Sequence, residues 1–155
     1  MNIQTSVNDL KEILGEYLID PISRRTSKWI YDEDGRAELD KSPFPKIVIR
    51  VDSPSTKEPN AMGSYQTFNT DNLEVLIKAK MGSHYGLGDK KYTGKEFVAE
   101  ISKQIEEVLR KKEVQDEFYN KCYTSVLPVG EYFEFDRDKN PTFVLQIQMK
   151  YVNKS

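Results

Sequence analysis

YTGKEFVAEISKQIEEVLRKK, residues 92 to 112, reads as one amphipathic helix, and the rest of the chain is arranged around it. Thr93 is a good N-cap, and Glu96 three positions later completes a capping box, each side chain answering the other residue's unpaired backbone N–H. Tyr92 and Phe97 stand at the two positions of a hydrophobic staple. Phe97, Val98, Ile101, Ile105, Val108 and Leu109 recur at the three-and-four spacing of one helical face. Lys103, Glu106, Glu107 and Arg110 take the other side, and Arg110, Lys111 and Lys112 suit the negative end of the helix dipole. A cap stabilises by about 1 kcal/mol. Burying the apolar stripe, at roughly 1.5–3 kcal/mol per side chain, contributes about ten. Packing therefore decides this helix, and it needs a broad apolar partner.

The flanking strands are the natural partners. Before the helix, Leu73, Val75, Ile77 and Ala79 alternate with Glu74, Leu76, Lys78 and Lys80. Earlier still, Pro43-Phe44-Pro45 punctuates the chain ahead of Lys46 to Val51, where Ile47, Ile49 and Val51 alternate with Lys46, Val48 and Arg50. After the helix, Phe118 to Val129 reads as extended. Glu131 to Phe135 and Thr142 to Val152 then form a hairpin around DRDKNP. Phe143, Leu145, Ile147, Met149 and Tyr151 share one face of its second strand, and Val144, Gln146, Gln148 and Lys150 share the other. Ser6 is placed to cap a first helix, with Val7, Leu10, Ile13, Leu14, Tyr17 and Leu18 on its apolar side and Pro21 ending it. SKWIY reads as a short extended piece anchored by Trp29, the sole tryptophan, and Asp34-Gly35 as a turn. Residues 52–72, rich in Ser, Thr, Asn and Pro, read as one long loop. The expectation is a single α+β domain over residues 1–155. Its sheet is mixed and mainly antiparallel, of about four to five strands, with two helices on one face in the order α-β-β-α-β-β.

Composition narrows the function. The chain is 37% hydrophobic and 31% charged with a formal net charge of −2, which argues against a general nucleic-acid coat. Cys122 is the only cysteine, so no internal disulfide forms and a cytosolic origin is compatible. The first residues lack the basic start and apolar run of a signal peptide, and no apolar run has the length of a membrane span.

Several stretches imitate chemical sites and fall short. Gly82 to Lys91 lies between a strand and a helix like a phosphate loop, but Asp89 follows Gly88 and no Lys-Ser or Lys-Thr pair follows the last glycine. A flexible turn is the better reading. Asp136, Asp138 and Asn140 copy the first ligands of a calcium loop, yet Pro141 replaces the required glycine and Ile147 the bidentate glutamate. Asp32, Glu33 and Asp34 read as an acidic turn, and Arg24, Arg25 and Lys28 as a solvated basic face. His84 and Cys122 are the one histidine and one thiol; a dyad would lack an orienting third group, and Cys122 is expected to be buried. With too few His and Cys ligands for a metal and no assembled catalytic set, we expect no enzyme, no cofactor and no metal.

Three stretches together resemble the tail-terminator, or tail-completion, proteins of long-tailed phages. PFPKIVIRV (Pro43 to Val51) looks like the family's first core strand. Leu73 to Lys80, with its loop and the helix Thr93 to Lys112, looks like the middle strand–helix pair. EYFEFDRDKNPTFVLQIQMKY (Glu131 to Tyr151) is similar to the closing hairpin. Order and spacing carry the resemblance. The chain departs from the family in its long 52–72 loop and in Pro141, where glycine is more usual. The resemblance implies a hexameric ring in the virion neck, assembled in the host cytoplasm. The ring sits on the last ring of tail tube protein, stops its polymerisation and offers a surface to the head-tail connector or head-closure protein. Partners are thus copies of the chain, tube and connector, with DNA passing through the lumen without sequence-specific binding and no membrane involved. Gln146, Gln148, Lys150, Lys78 and Lys80 are the expected lumen or inter-subunit face, and Lys57, Tyr65 and Phe68 the expected partner contacts in the loop. The competing readings are another neck component, a small cellular adaptor for protein or nucleic acid, and an enzyme with an unrecognised site.

Overall fold

The computed structural model describes residues 2–22, 29–32, 43–59 and 66–154. In chain order it contains α1 (Ile3–Tyr17), β1 (Ile30–Asp32), β2 (Lys46–Pro59), β3 (Gln66–Lys78), β4 (His84–Leu87) and β5 (Lys90–Thr93). Then follow α2 (Gly94–Arg110), α3 (Lys112–Asn120), β6 (Tyr123–Phe135) and β7 (Pro141–Lys154). The class is α+β, as the periodicity indicates, with a mixed and mainly antiparallel sheet.

The central helix forms as its sequence dictates. Thr93 Oγ1 accepts from Glu96 N at 3.3 Å, and Phe97, Val98, Ile101, Ile105, Val108 and Leu109 are all buried. Tyr85 packs on Phe97 with ring centroids 4.8 Å apart. Gly94 is required where α2 begins, because a Cβ there would stand 2.7 Å from the Lys80 carbonyl oxygen. That close approach seats the first turn of α2 directly on the chain leaving β3.

The main sheet has the order β1-β2-β3-β7-β6, with β1 parallel to β2 and every other pair antiparallel. Register aligns Ile49 with Val75 and Val75 with Leu145, and the rows on either side add Ile47, Ile77, Leu73 and Ile147. These side chains share the face covered by α1 and α2 and are essentially dry.

Some expectations are corrected. Residues 52–72 are not a long loop: β2 runs to Pro59 and β3 begins at Gln66. β3 is laddered on both sides, to β2 and to β7, so backbone pairing holds a stretch that has few aliphatic side chains. Only residues 60–65, Tyr65 among them, fall outside the described residues, as do Asp34-Gly35, Arg24, Arg25 and Lys28. Residues 82–91 are a two-stranded ribbon, β4 with β5, turning through Gly88 at φ +62°. The long helix stops at Arg110, and a separate α3, anchored by buried Val114 and Phe118, takes in Phe118 to Asn120, the first three residues of the segment expected to be extended. Asn2, not Ser6, caps α1: its side chain accepts from Thr5 N at 3.0 Å.

Phe97 has no exposed surface and sits where helix, ribbon and sheet meet. Phe97→Ala should lower unfolding stability by about 3–5 kcal/mol, read from urea denaturation, with an unchanged m-value marking a cavity in an intact fold.

Candidate assembly surface

The face of the sheet away from α1 and α2 is less polar than its alternation suggests. Tyr31, Val48, Leu76 and Val144 form a second, buried apolar cluster there. Beside it lies Glu74, only 3% exposed, and its carboxylate is fully engaged. Arg50 Nε donates to Oε1 at 2.8 Å and the Tyr132 hydroxyl to Oε2 at 2.7 Å. Arg50 Nη2 also reaches Glu134 Oε1 at 3.8 Å. A flat sheet would keep β2 and β6 about 14 Å apart, three strand spacings. The contact follows from twist, which makes the sheet a saddle whose diagonal corners approach one another on this face.

The electrostatics agree with the geometry. The hydrogen bond to Glu74 pushes the Tyr132 phenol up to about 12, aided by burial and by the Glu74 charge. Burial alone would lower the Arg50 pKa, but the bond to Glu74 together with the charges of Glu74, Glu134 and Tyr132 outweighs that and raises it. Glu74 holds the pair together: it supplies the charge that both neighbours answer.

The residues expected to form a lumen face divide by position. Gln146, Gln148 and Lys78 are half-buried and Lys150 is exposed, all on this second face by the period-two alternation. The Gln146 side chain lies across Gly130, in the space a Cβ there would need. Lys80 is exposed but sits beyond the end of β3, where its N–H donates to the Tyr85 hydroxyl at 3.0 Å. Of the expected loop contacts, Lys57 lies in β2 and Phe68 in β3, where its side chain is 43% exposed. A shallow hollow of about 430 Å³ brings Phe68 together with Asn72, Gln148 and Lys150.

A polar cluster that the sequence did not reveal lies under α1. Ser6 Oγ donates to Asp71 Oδ2 at 2.6 Å, and the Tyr123 hydroxyl bridges Ser6 Oγ at 3.1 Å and Asp9 Oδ2 at 2.9 Å. Lys121 Nζ completes it, 3.3 Å from Asp9 Oδ1. Burial drives the Tyr123 phenol well above its ordinary value. Asp71 is fully buried beneath the first turn of α1, where the helix dipole favours a carboxylate. The cluster ties α1 to β3 and β6; its oxygens face one another and not a cleft.

Nor do the other imitations assemble. His84 is exposed in β4 and Cys122 is exposed after α3 at φ 76°, contrary to the burial expected of it, and no hydrogen bond joins them among the described residues. Asp136 spends its carboxylate on the hairpin turn, accepting from Asp138 N at 2.9 Å, Asn140 N at 2.8 Å and Asn140 Nδ2 at 2.9 Å. Asn140 Oδ1 in turn accepts from Met81 N at 2.9 Å. The acidic tip is therefore committed to its own turn, and among the described residues no three His, Cys, Asp or Glu side chains gather as a cation site.

What remains open is the edge strand β6. Gln115 Nε2, in α3, donates to the Val126 carbonyl at 3.1 Å and also to the Leu109 carbonyl, so a helix covers the first part of that edge. Beyond it Leu127, Val129, Tyr132, Phe133 and Phe135 are exposed by 37% to 60%. Phe133 rests edge-on against Phe143, with Lys95 Nζ 5.4 Å above its ring. These side chains divide between the faces of the sheet, Tyr132 with Val144 on the Glu74 side and Phe133 with Phe143 on the helix-covered side.

Tyr132 titrates with a sign that can be checked. Its folded pKa lies above its unfolded value, so its contribution to stability is complete below about pH 10 and is lost as pH rises through about 12. Wild type should therefore lose stability over that range more steeply than Tyr132→Phe, measured by urea denaturation at stepped pH.

No helix among the described residues is long and apolar enough to cross a membrane. Neither protein-family models nor curated proteins match the chain.

Proposed function

We propose that this chain is a structural subunit of a phage tail, a tail terminator. Copies form a hexameric ring that caps the tail tube, ends its polymerisation and presents the surface to which the filled head joins. In this reading the protein resides in the virion neck, is not an enzyme, and passes DNA through its lumen without reading sequence. The order and spacing of the strand–helix pair and closing hairpin support it. The observation that carries most weight is the concentration of exposed apolar side chains on β6, from Leu127 to Phe135. Such exposure is costly in water and favours a neighbour. A ring with head-to-tail contacts needs two unlike patches on each subunit, and closure keeps it from growing into a filament. Gln146 and Gln148 suit a wall that lets a polyanion slide, being polar without fixed positive charge.

Sedimentation and negative-stain imaging test this reading. Closed rings with a central hole of duplex width, which cap purified tail tubes and arrest their elongation, are the expected result. A chain that stays monomeric at high concentration and leaves tubes uncapped overturns it.

A further inference from the structure

We infer that copies of this chain join edge to edge, the open half of β6 in one subunit pairing antiparallel with the outer edge of β2 in the next. This rests on the ring reading above and names the contact through which the ring closes. Three independent features of the two edges agree.

The first is direction. β6 runs opposite to β7, β7 opposite to β3, and β3 opposite to β2, so β6 and β2 run in opposite senses. Placing β6 beside the β2 of the next subunit, with the helices of both on the same side, continues the antiparallel alternation without inverting either sheet.

The second is the aim of the backbone groups. Ile47 N donates outward to the Trp29 carbonyl at 2.8 Å, so Ile49 and Val51, in step with it, also point their N–H and C=O away from β3. Among the described residues β1 takes up this edge from Ile47 to Ile49, and β2 shifts register between Val51 and Ser53 and again between Ser53 and Thr56, so Val51 is the last residue in step with Ile47. On β6 the Val126 carbonyl points outward to Gln115, which puts the Pro128 nitrogen, with no hydrogen to give, on the same outer side. After the register shift between Pro128 and Gly130, the outward set becomes Glu131, Phe133 and Phe135. The covered helix end and the proline confine any added strand to Gly130–Phe135.

The third is the side-chain face. Residues directly opposite in a ladder place their side chains on the same face. Val51, 41% exposed, lies on the helix-covered face, in register with Leu73; Phe133 lies on that face opposite Phe143, and Phe135, 60% exposed, two residues on. Phe135 also lines a hollow of about 220 Å³ with Met81, Gly94 and Pro141. A Val51 from the next subunit set beside Phe135 meets both the ring and this hollow. By contrast, β6 against a second β6 through Phe133 sets Glu131 opposite Phe135 and closes as a two-fold dimer.

The test uses the full chain with Cys122→Ser as background. Val51→Cys with Phe135→Cys, oxidised after assembly, should give a ladder of covalent oligomers ending at the closed ring on a denaturing gel, while either single variant stays uncrosslinked. In parallel, hydrogen exchange of the wild-type ring against dilute subunit should show slowed amides in residues 51–56 and 130–135. Rings that form without the ladder and without that protection overturn the edge contact and leave the ring reading standing. Efficient dimers from a Phe133→Cys variant alone, the position that faces itself in that arrangement, overturn it in favour of β6 pairing with itself. No self-association and no capping removes both.

Discussion

The structure depends on one packing contact, the apolar stripe of α2 laid against the dry face of β3 and β7. Everything placed by the fold is placed through it. Gly94 brings the helix start against the Lys80 carbonyl, the Tyr85–Phe97 contact fixes the small ribbon, and the rows through Val75 and Leu145 set the register of the sheet. Because strands alternate, committing one face to the helices also commits the other. Glu74, Gln146 and Val144 have no choice about which way they look.

That second face shows how a sheet without a helical cover still hides apolar surface. Val144 and Leu76 are buried under longer neighbours and by twist, which draws Arg50 and Glu134 together across two intervening strands. A nearly dry carboxylate is stable here because it meets a guanidinium and a phenol at short range; removing either neighbour would leave a charge without sufficient hydrogen bonds.

The sequence made the core legible and the edges obscure, for reasons that differ by element. Helical and strand periods reveal burial, so α2, the inner half of β3 and β7 were readable from Phe97, Val75 and Leu145. Residues 52–72 misled because they contain few aliphatics, and ladder hydrogen bonds leave no trace in side-chain composition. α3 was missed although Val114 and Phe118 stand four apart, since two residues are a short signal amid charges. The lumen candidates were chosen by alternation, which correctly groups Gln146, Gln148, Lys150 and Lys78 on a face but carries no information about Lys80 beyond the strand end. The Glu74 cluster and the Ser6–Asp71–Tyr123 cluster could not be found by period at all: their members lie far apart in the chain and meet only through register.

Gln115 has a mechanical meaning. Its single amide group holds the Leu109 carbonyl, in the last turn of α2, and the Val126 carbonyl, on the rim of the sheet. The end of the main helix and the boundary strand are thus clasped by one side chain. A load that tugs the rim outward is felt at once at the helix terminus, and a helix that shifts along its axis loosens the rim. The subunit has in this clasp a short, stiff linkage between its interior and its border.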